Sequence, residues 1–260
     1  MPLHTEVRGS GAPLVLLHGF TQTGRLFGRF GEQLAESHLL VAVDLPGHGG
    51  SDAVRAGLHD TAGLVADSVR TCIGEAPCDV LGYSLGARVA LHVASDTDLA
   101  VRRMILLGAT AGIEDPAERE RRRLSDVAQA DALEASGDVE HFLERWLSGP
   151  MFNHLSREAA DVAERRRNTA SGLASSLRLC GTGTQEPLWD RLGSLRSPVL
   201  AVAGSDDARF AIHALRIARL TPHGVASLVP GGGHAVHLSQ PAQTARIVGH
   251  WLAAVEPDLA

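Results

Sequence analysis

The chain of 260 residues is poor in cysteine, in aromatic side chains and in long apolar runs, and each shortage removes a class of protein. Its three cysteines, Cys72, Cys78 and Cys180, cannot all pair, and none forms a CxxC or a Cys/His zinc spacing. A disulfide scaffold is therefore excluded, and a reducing cytoplasm fits best. No run of about 18 apolar residues occurs, and the apolar stretch near the N-terminus is too short for a signal segment, so neither secretion nor a membrane span is expected. An excess of positive charge is also missing: the net charge of −6 gives no footprint for a nucleic-acid backbone. GxGxxG, a phosphate loop, internal repeats and low-complexity tracts are absent. The sequence implies no cofactor and no metal, and carries no signature of an oligomeric state.

What remains is ordinary globular usage, 44% hydrophobic and 21% charged, with 28 glycines. Short apolar runs recur at Leu14 to His18, Leu39 to Val43, Asp79 to Leu81, Met104 to Leu107, Val199 to Val202 and Ala226 to Val229. Their brevity and β-branched content predict strands buried on both faces, the pattern of a mostly parallel sheet. Thr61 to Ile73, Ala87 to Ala94 and Ala242 to Val255, the last opened by Pro241, have helical spacing. Strands alternating with helices predict a doubly wound α/β sheet flanked by helices.

One region breaks the alternation. Between about Gly112 and Glu186 no strand-like run occurs, while Ala117 to Ala135, Val139 to Leu147, Arg157 to Arg167 and Leu173 to Leu179 look helical. That is too much helix for a crossover. It reads as a helical cap, residues 112–186, inserted into a core of residues 1–111 and 187–260, with hinges near Gly112 and Pro187.

The sharpest motif is Gly82-Tyr83-Ser84-Leu85-Gly86, set between the apolar run Asp79 to Leu81 and the helical stretch Ala87 to Ala94. Strand, tight turn and helix are the context of a nucleophile elbow, in which flanking side chains would collide. The Ser84 hydroxyl would then stand at a helix N-terminus, where backbone N–H groups favour developing negative charge. A serine needs a base, and the base an orienting acid. Asp207 follows Val199 to Val202, and His234 closes Gly231-Gly232-Gly233-His234 after Ala226 to Val229. His237 is the rival base and Asp206 the rival acid; either carboxylate could instead be a turn or helix N-cap. The loop Asp44-Leu45-Pro46-Gly47-His48-Gly49-Gly50-Ser51 reads as structural.

Together these blocks resemble the α/β-hydrolase superfamily over nearly the whole chain. LLHGF, DLPGHGGSD, LGYSLGARVAL, ERERRRLSD, the GPMF and RRRN stretches, GTGTQEPLW, AGSDDARF and GGGHAVH are similar to one branch, the 2-succinyl-6-hydroxy-2,4-cyclohexadiene-1-carboxylate synthases of menaquinone biosynthesis. The resemblance implies an α/β-hydrolase fold with the order Ser, Asp, His. It also implies an oxyanion hole formed by the backbone N–H groups of Phe20, after His18-Gly19, and of Leu85. It implies a lyase reaction, pyruvate elimination from an enolpyruvyl-linked succinyl cyclohexene. The alternative is a carboxylesterase or C–C bond hydrolase with Ser84 as covalent nucleophile. A polyanionic small-molecule substrate suits the cap arginines. Matching to the family motif selects Arg88, Arg122 and Arg165, with Arg123 and Arg166 as register alternatives, and sets Tyr83 and Trp146 in the pocket.

Overall fold

The structure is a computed structural model that describes residues 2–255. Seven strands, β1 (Thr5–Gly9), β2 (Ala12–Leu17), β3 (His38–Val43), β4 (Cys78–Tyr83), β5 (Val101–Leu107), β6 (Val199–Gly204) and β7 (Gly224–Val229), lie in the order β1-β3-β2-β4-β5-β6-β7. All neighbouring pairs are parallel except β1 with β3. The six apolar runs supply β2 to β7. Strand β1 is an addition: TEVRG is half polar because it sits at the sheet edge and pairs on one side only, so no continuous apolar run marks it.

Helices α1 (Gly28–Ala35), α2 (Leu58–Ile73) and α3 (Leu85–Asp96) follow β2, β3 and β4. After β5 come α4 (Pro116–Ser136), α5 (Val139–Leu147), α6 (Arg157–Ala160), α7 (Val162–Arg165) and α8 (Ala170–Cys180). The chain then returns to the sheet with α9 (Ala208–Leu220), α10 (Val236–Ser239) and α11 (Pro241–Ala254). The expected mostly parallel α/β sheet flanked by helices is therefore present. Two apolar clusters, one around Val15, Val80 and Leu106 and one around Leu14, Leu81 and Ile105, fill opposite faces of the sheet. Strand β4 is buried along its whole length, and each such Val or Leu contributes about 1.5–3 kcal/mol on leaving water.

The five helices between Pro116 and Cys180 have a separate small core of Ala130, Leu133, Phe142, Leu173, Ala174 and Leu177. Their starts are set locally: Asp115, Asp138, Ser156, Asp161 and Thr169 each accept a first-turn N–H, worth about 1 kcal/mol apiece. The helix expected over Arg157 to Arg167 is instead two single turns. Asp161 adopts φ 42° between them and caps the second, which breaks the helix at one residue.

Candidate active site

Strand β4 delivers the chain into the elbow. Ser84 takes φ 51° and ψ −104°, a backbone state that costs about 1–3 kcal/mol and is held by its own N–H donating to Leu107 O at 2.9 Å. The turn is possible because of close approach at two glycines. A Cβ on Gly86 would lie 2.0 Å from Leu17 O, and one on Gly82 would lie 2.3 Å from Gly86 O. Ser84 thus becomes the N-cap of α3, whose first-turn N–H groups, Leu85 among them, have no acceptor within the helix.

Two other strand ends supply the partners. His234 Nε2 lies 3.0 Å from Ser84 Oγ, and His234 Nδ1 lies 3.1 Å from Asp207 Oδ2. The second Asp207 oxygen accepts the Phe210 N–H at 3.3 Å, capping α9. One carboxylate therefore caps a helix and orients an imidazole together. The rivals lie elsewhere. Asp206 accepts from the Ser205 hydroxyl. His237 is fully buried against Tyr83, Phe27 and Phe30 with neither ring nitrogen partnered, and burial lowers its pKa to about 3. Phe210, which the sequence did not single out, packs on the His234 ring with centroids 4.2 Å apart.

The loop carrying Phe20 is braced by neutral histidines. His18 accepts the Leu45 N–H at Nε2 (2.9 Å) and donates from Nδ1 to Gly19 O (2.8 Å). His48 accepts the Thr21 N–H at Nε2 (3.3 Å) and donates to Pro46 O (3.0 Å). Burial lowers these two pKa values to about 4 and about 3, so both rings are uncharged at neutral pH. Asp44 accepts the N–H groups of Gly24 and Gly50, both at 2.7 Å, tying the two loops together. Thr21, at φ 67°, is held by His48, by Asn168 Nδ2 on its carbonyl (2.9 Å) and by Arg165 Nη1 on its hydroxyl (2.5 Å).

Above Ser84 and His234 lies a cleft lined by the elbow, the Phe20 loop and the helices between β5 and β6. Tyr83, Arg88, Arg122 and Trp146 all face it. Arg88 is 7% exposed and donates to the carbonyls of Cys180 (2.7 Å) and Gly181 (3.4 Å) and to Gln185 Oε1 (3.4 Å). Burial lowers its pKa only to about 10, so it remains a cation at neutral pH. Arg122 is oriented by Asp126, one turn on, with Nε 2.8 Å from Oδ1. Burial raises the Tyr83 phenol, which is neutral. Trp146 stands edge-on to Phe20, centroids 5.0 Å apart.

Arg165 is placed differently from the expectation. It is 1% exposed and does not line the cleft; its guanidinium donates to Ala160 O (2.6 Å) and to Thr21 behind the Phe20 loop. After the break at Asp161, α7 lies against the loop that carries Phe20, where Glu164 accepts from Thr23 and Arg165 donates to Thr21. The register alternatives face outward: Arg123 pairs with Glu120, and Arg166 with Glu140. Thr110 and Ser176 belong to no motif, and Thr182 and Gln185 lie in GTGTQEPLW without being singled out; the fold brings Gln185 to Arg88 and the hydroxyls into the cleft. Among the described residues no helix is long and apolar enough to cross a membrane.

Residues 14–247 match the Alpha/beta hydrolase family. A protein of Bacillus subtilis (strain 168), provisionally named 2-succinyl-6-hydroxy-2,4-cyclohexadiene-1-carboxylate synthase, is 32% identical over 93% of this chain and 90% of its own. The pimeloyl-[acyl-carrier protein] methyl ester esterase of Xanthomonas campestris pv. campestris (strain B100) is 33% identical over 97% of this chain and 100% of its own. The solved structure of MenH from S. aureus superposes with a TM-score of 0.89 at 27% identity, covering 96% of this chain and 98% of that one.

Proposed function

The chain belongs to the alpha/beta hydrolase family, and on that premise we propose that it is a cytoplasmic carbon–oxygen lyase of menaquinone biosynthesis. It would eliminate pyruvate from an enolpyruvyl-linked succinyl-hydroxycyclohexene-carboxylate to form 2-succinyl-6-hydroxy-2,4-cyclohexadiene-1-carboxylate. The observation that carries this reading is Arg88. It is a buried cation facing the same cleft as Ser84, and no carboxylate among the described residues pairs with it. A buried charge without a counter-ion is costly, and a carboxylate of the substrate would supply one. Arg122, held by Asp126, adds a second guanidinium in the same cleft.

In this reading Ser84 Oγ, polarised by His234 Nε2, takes the proton from the ring carbon α to the succinyl ketone, and the proton passes to the imidazole. Asp207 holds that imidazole and stabilises its charge. The electron pair moves onto the ketone oxygen, where the Phe20 and Leu85 N–H groups receive it. As the carbonyl re-forms, the second ring double bond is made and the ring C–O bond breaks. The leaving group departs as enolpyruvate and takes up a proton at carbon to become pyruvate. Tyr83 and Trp146 bound the ring, and Arg88 and Arg122 bind its carboxylates. Arg165 serves by holding Thr21, and through it the Phe20 loop.

A second reading is supported by the Xanthomonas relative, whose name is that of an esterase. There Ser84 attacks an ester carbonyl, and the same two N–H groups receive the tetrahedral oxyanion. The test sets pyruvate release from the enolpyruvyl intermediate, read through a coupled dehydrogenase, beside hydrolysis of a short p-nitrophenyl ester. The lyase reading expects fast pyruvate release that vanishes in Ser84→Ala, with slow ester cleavage. Efficient ester cleavage without pyruvate would transfer the function to the esterase.

A further inference from the structure

Helix α3 carries chemistry at both ends. Ser84 caps its start, and Arg88, His92 and Asp96 continue the same stripe at intervals of four residues, which is one face of the helix. Arg88 belongs to the cleft already described, but the far end of the stripe does not. There His92 and Asp96 meet His59, the second residue of α2, in a separate surface cleft that also holds Asp60, Glu186 and Arg191. Two imidazoles converge on one carboxylate oxygen. Asp96 Oδ2 lies 2.7 Å from His92 Nδ1 and 3.2 Å from His59 Nδ1.

We propose that His59, His92 and Asp96 form a binding site for a borderline divalent transition-metal ion such as Zn²⁺, remote from the reacting serine. The donor set is two nitrogens and one oxygen, which suits Zn²⁺, Ni²⁺ or Cu²⁺ over Mg²⁺ or Ca²⁺. Their ligand atoms already lie within 4.8 Å of one another. Bonds of about 2.1 Å to a tetrahedral ion would set ligand atoms about 3.4 Å apart, so small side-chain shifts suffice. His59 has the freedom to make them, being three-quarters exposed, while the His92 and Asp96 side chains are both over nine-tenths buried. Asp96 is also supported from outside: its other oxygen accepts from Arg191 Nη2 at 2.5 Å, as a metal-bound carboxylate is commonly held by an outer hydrogen bond.

The formal charge of the cleft is also suitable. Asp60, Asp96 and Glu186 against Arg191 leave two negative charges with the histidines neutral, which a divalent ion would balance. Ions at this position would tie α2 to α3, without touching Ser84, His234 or Asp207.

The test uses tag-free full-length protein, stripped with chelator and then titrated with Zn²⁺ by calorimetry and with Co²⁺ by visible absorption. One equivalent of Zn²⁺ is expected to bind, with Co²⁺ giving the d–d bands of a low-coordinate nitrogen–oxygen site. His59→Ala, at an exposed position where folding is not at risk, should weaken binding by at least roughly tenfold, as should Asp96→Asn. His141→Ala, an exposed histidine on α5, should leave it unchanged. Absence of stoichiometric binding, or equal binding by the wild-type protein and His59→Ala, would overturn the site.

Discussion

The two walls of the cleft are held in different ways. The wall made by the strand ends and the Phe20 loop is tied by short directional hydrogen bonds: His18 and His48 each use both ring nitrogens, and Asp44 bridges two loops. The wall made by the helices between β5 and β6 brings charge, with Arg122 in the cleft and many other arginines paired at the surface. Directional bonds fix atoms to within a few tenths of an ångström, which a triad and an oxyanion hole require. Guanidinium groups attract carboxylates over a longer range and bind them through a planar fork. In the proposed reading the first wall governs the rate of the chemical step, while Arg88 on α3 and Arg122 on α4 govern which molecules are held.

Breaking each wall should separate those roles. The largest effect is expected from His234→Ala, which removes the base and should lower kcat by roughly 10³-fold or more with little change in KM. Steady-state pyruvate release would measure both. Next, Arg88→Gln should raise KM for the polyanionic substrate by roughly 10²-fold while leaving neutral p-nitrophenyl ester cleavage within a few-fold. A matched loss on both substrates would mean that Arg88 is needed for packing and not for anion recognition. Arg165→Gln tests the placement of that residue behind Thr21: kcat should fall for the neutral ester as well, because the Phe20 loop loses its support.

A pH experiment probes the buried histidines. Burial lowers the pKa values of His18, His48 and His237 to about 4, 3 and 3, below the unfolded value near 6.5. The unfolded chain therefore binds protons that the native chain refuses. Stability from these rings is complete above pH 6.5 and is lost as pH falls towards 3 to 4, by up to about 1.4 kcal/mol per pH unit for each histidine. Urea unfolding at pH 7 and pH 5 should show this fall, and His48→Gln should reduce the slope. An unchanged slope would place His48 outside this account. The smallest effect is expected from Arg166→Ala: its pair with Glu140 is exposed on both sides, so stability and KM should both be unaltered.

Legibility in the sequence followed locality. Strands β2 to β7 were visible because burial on both faces demands a continuous apolar run, and Ser84 because two glycines are required where α3 passes close to β2. Strand β1, with one paired edge and mixed polarity, left no such mark, and neither α1 nor α9 was singled out. Asp207 was legible only as a choice between helix cap and triad member. In the structure one of its oxygens caps α9 and the other faces His234 Nδ1. The arginines were legible as a composition and not as positions. Arg122 reaches the cleft and Arg165 does not, a difference decided by the αL turn at Asp161, where a single residue redirects the chain.

The sequence by itself determined the α/β alternation, the elbow at Ser84 and the helical insertion, since these rest on apolar periodicity and on glycine sterics within a few neighbouring residues. Tertiary structure alone decided which arginine is buried in the cleft, which histidines remain neutral, and that His59 meets His92 and Asp96. Those outcomes depend on burial and on distances between segments far apart in the chain, and no local pattern of residues records either.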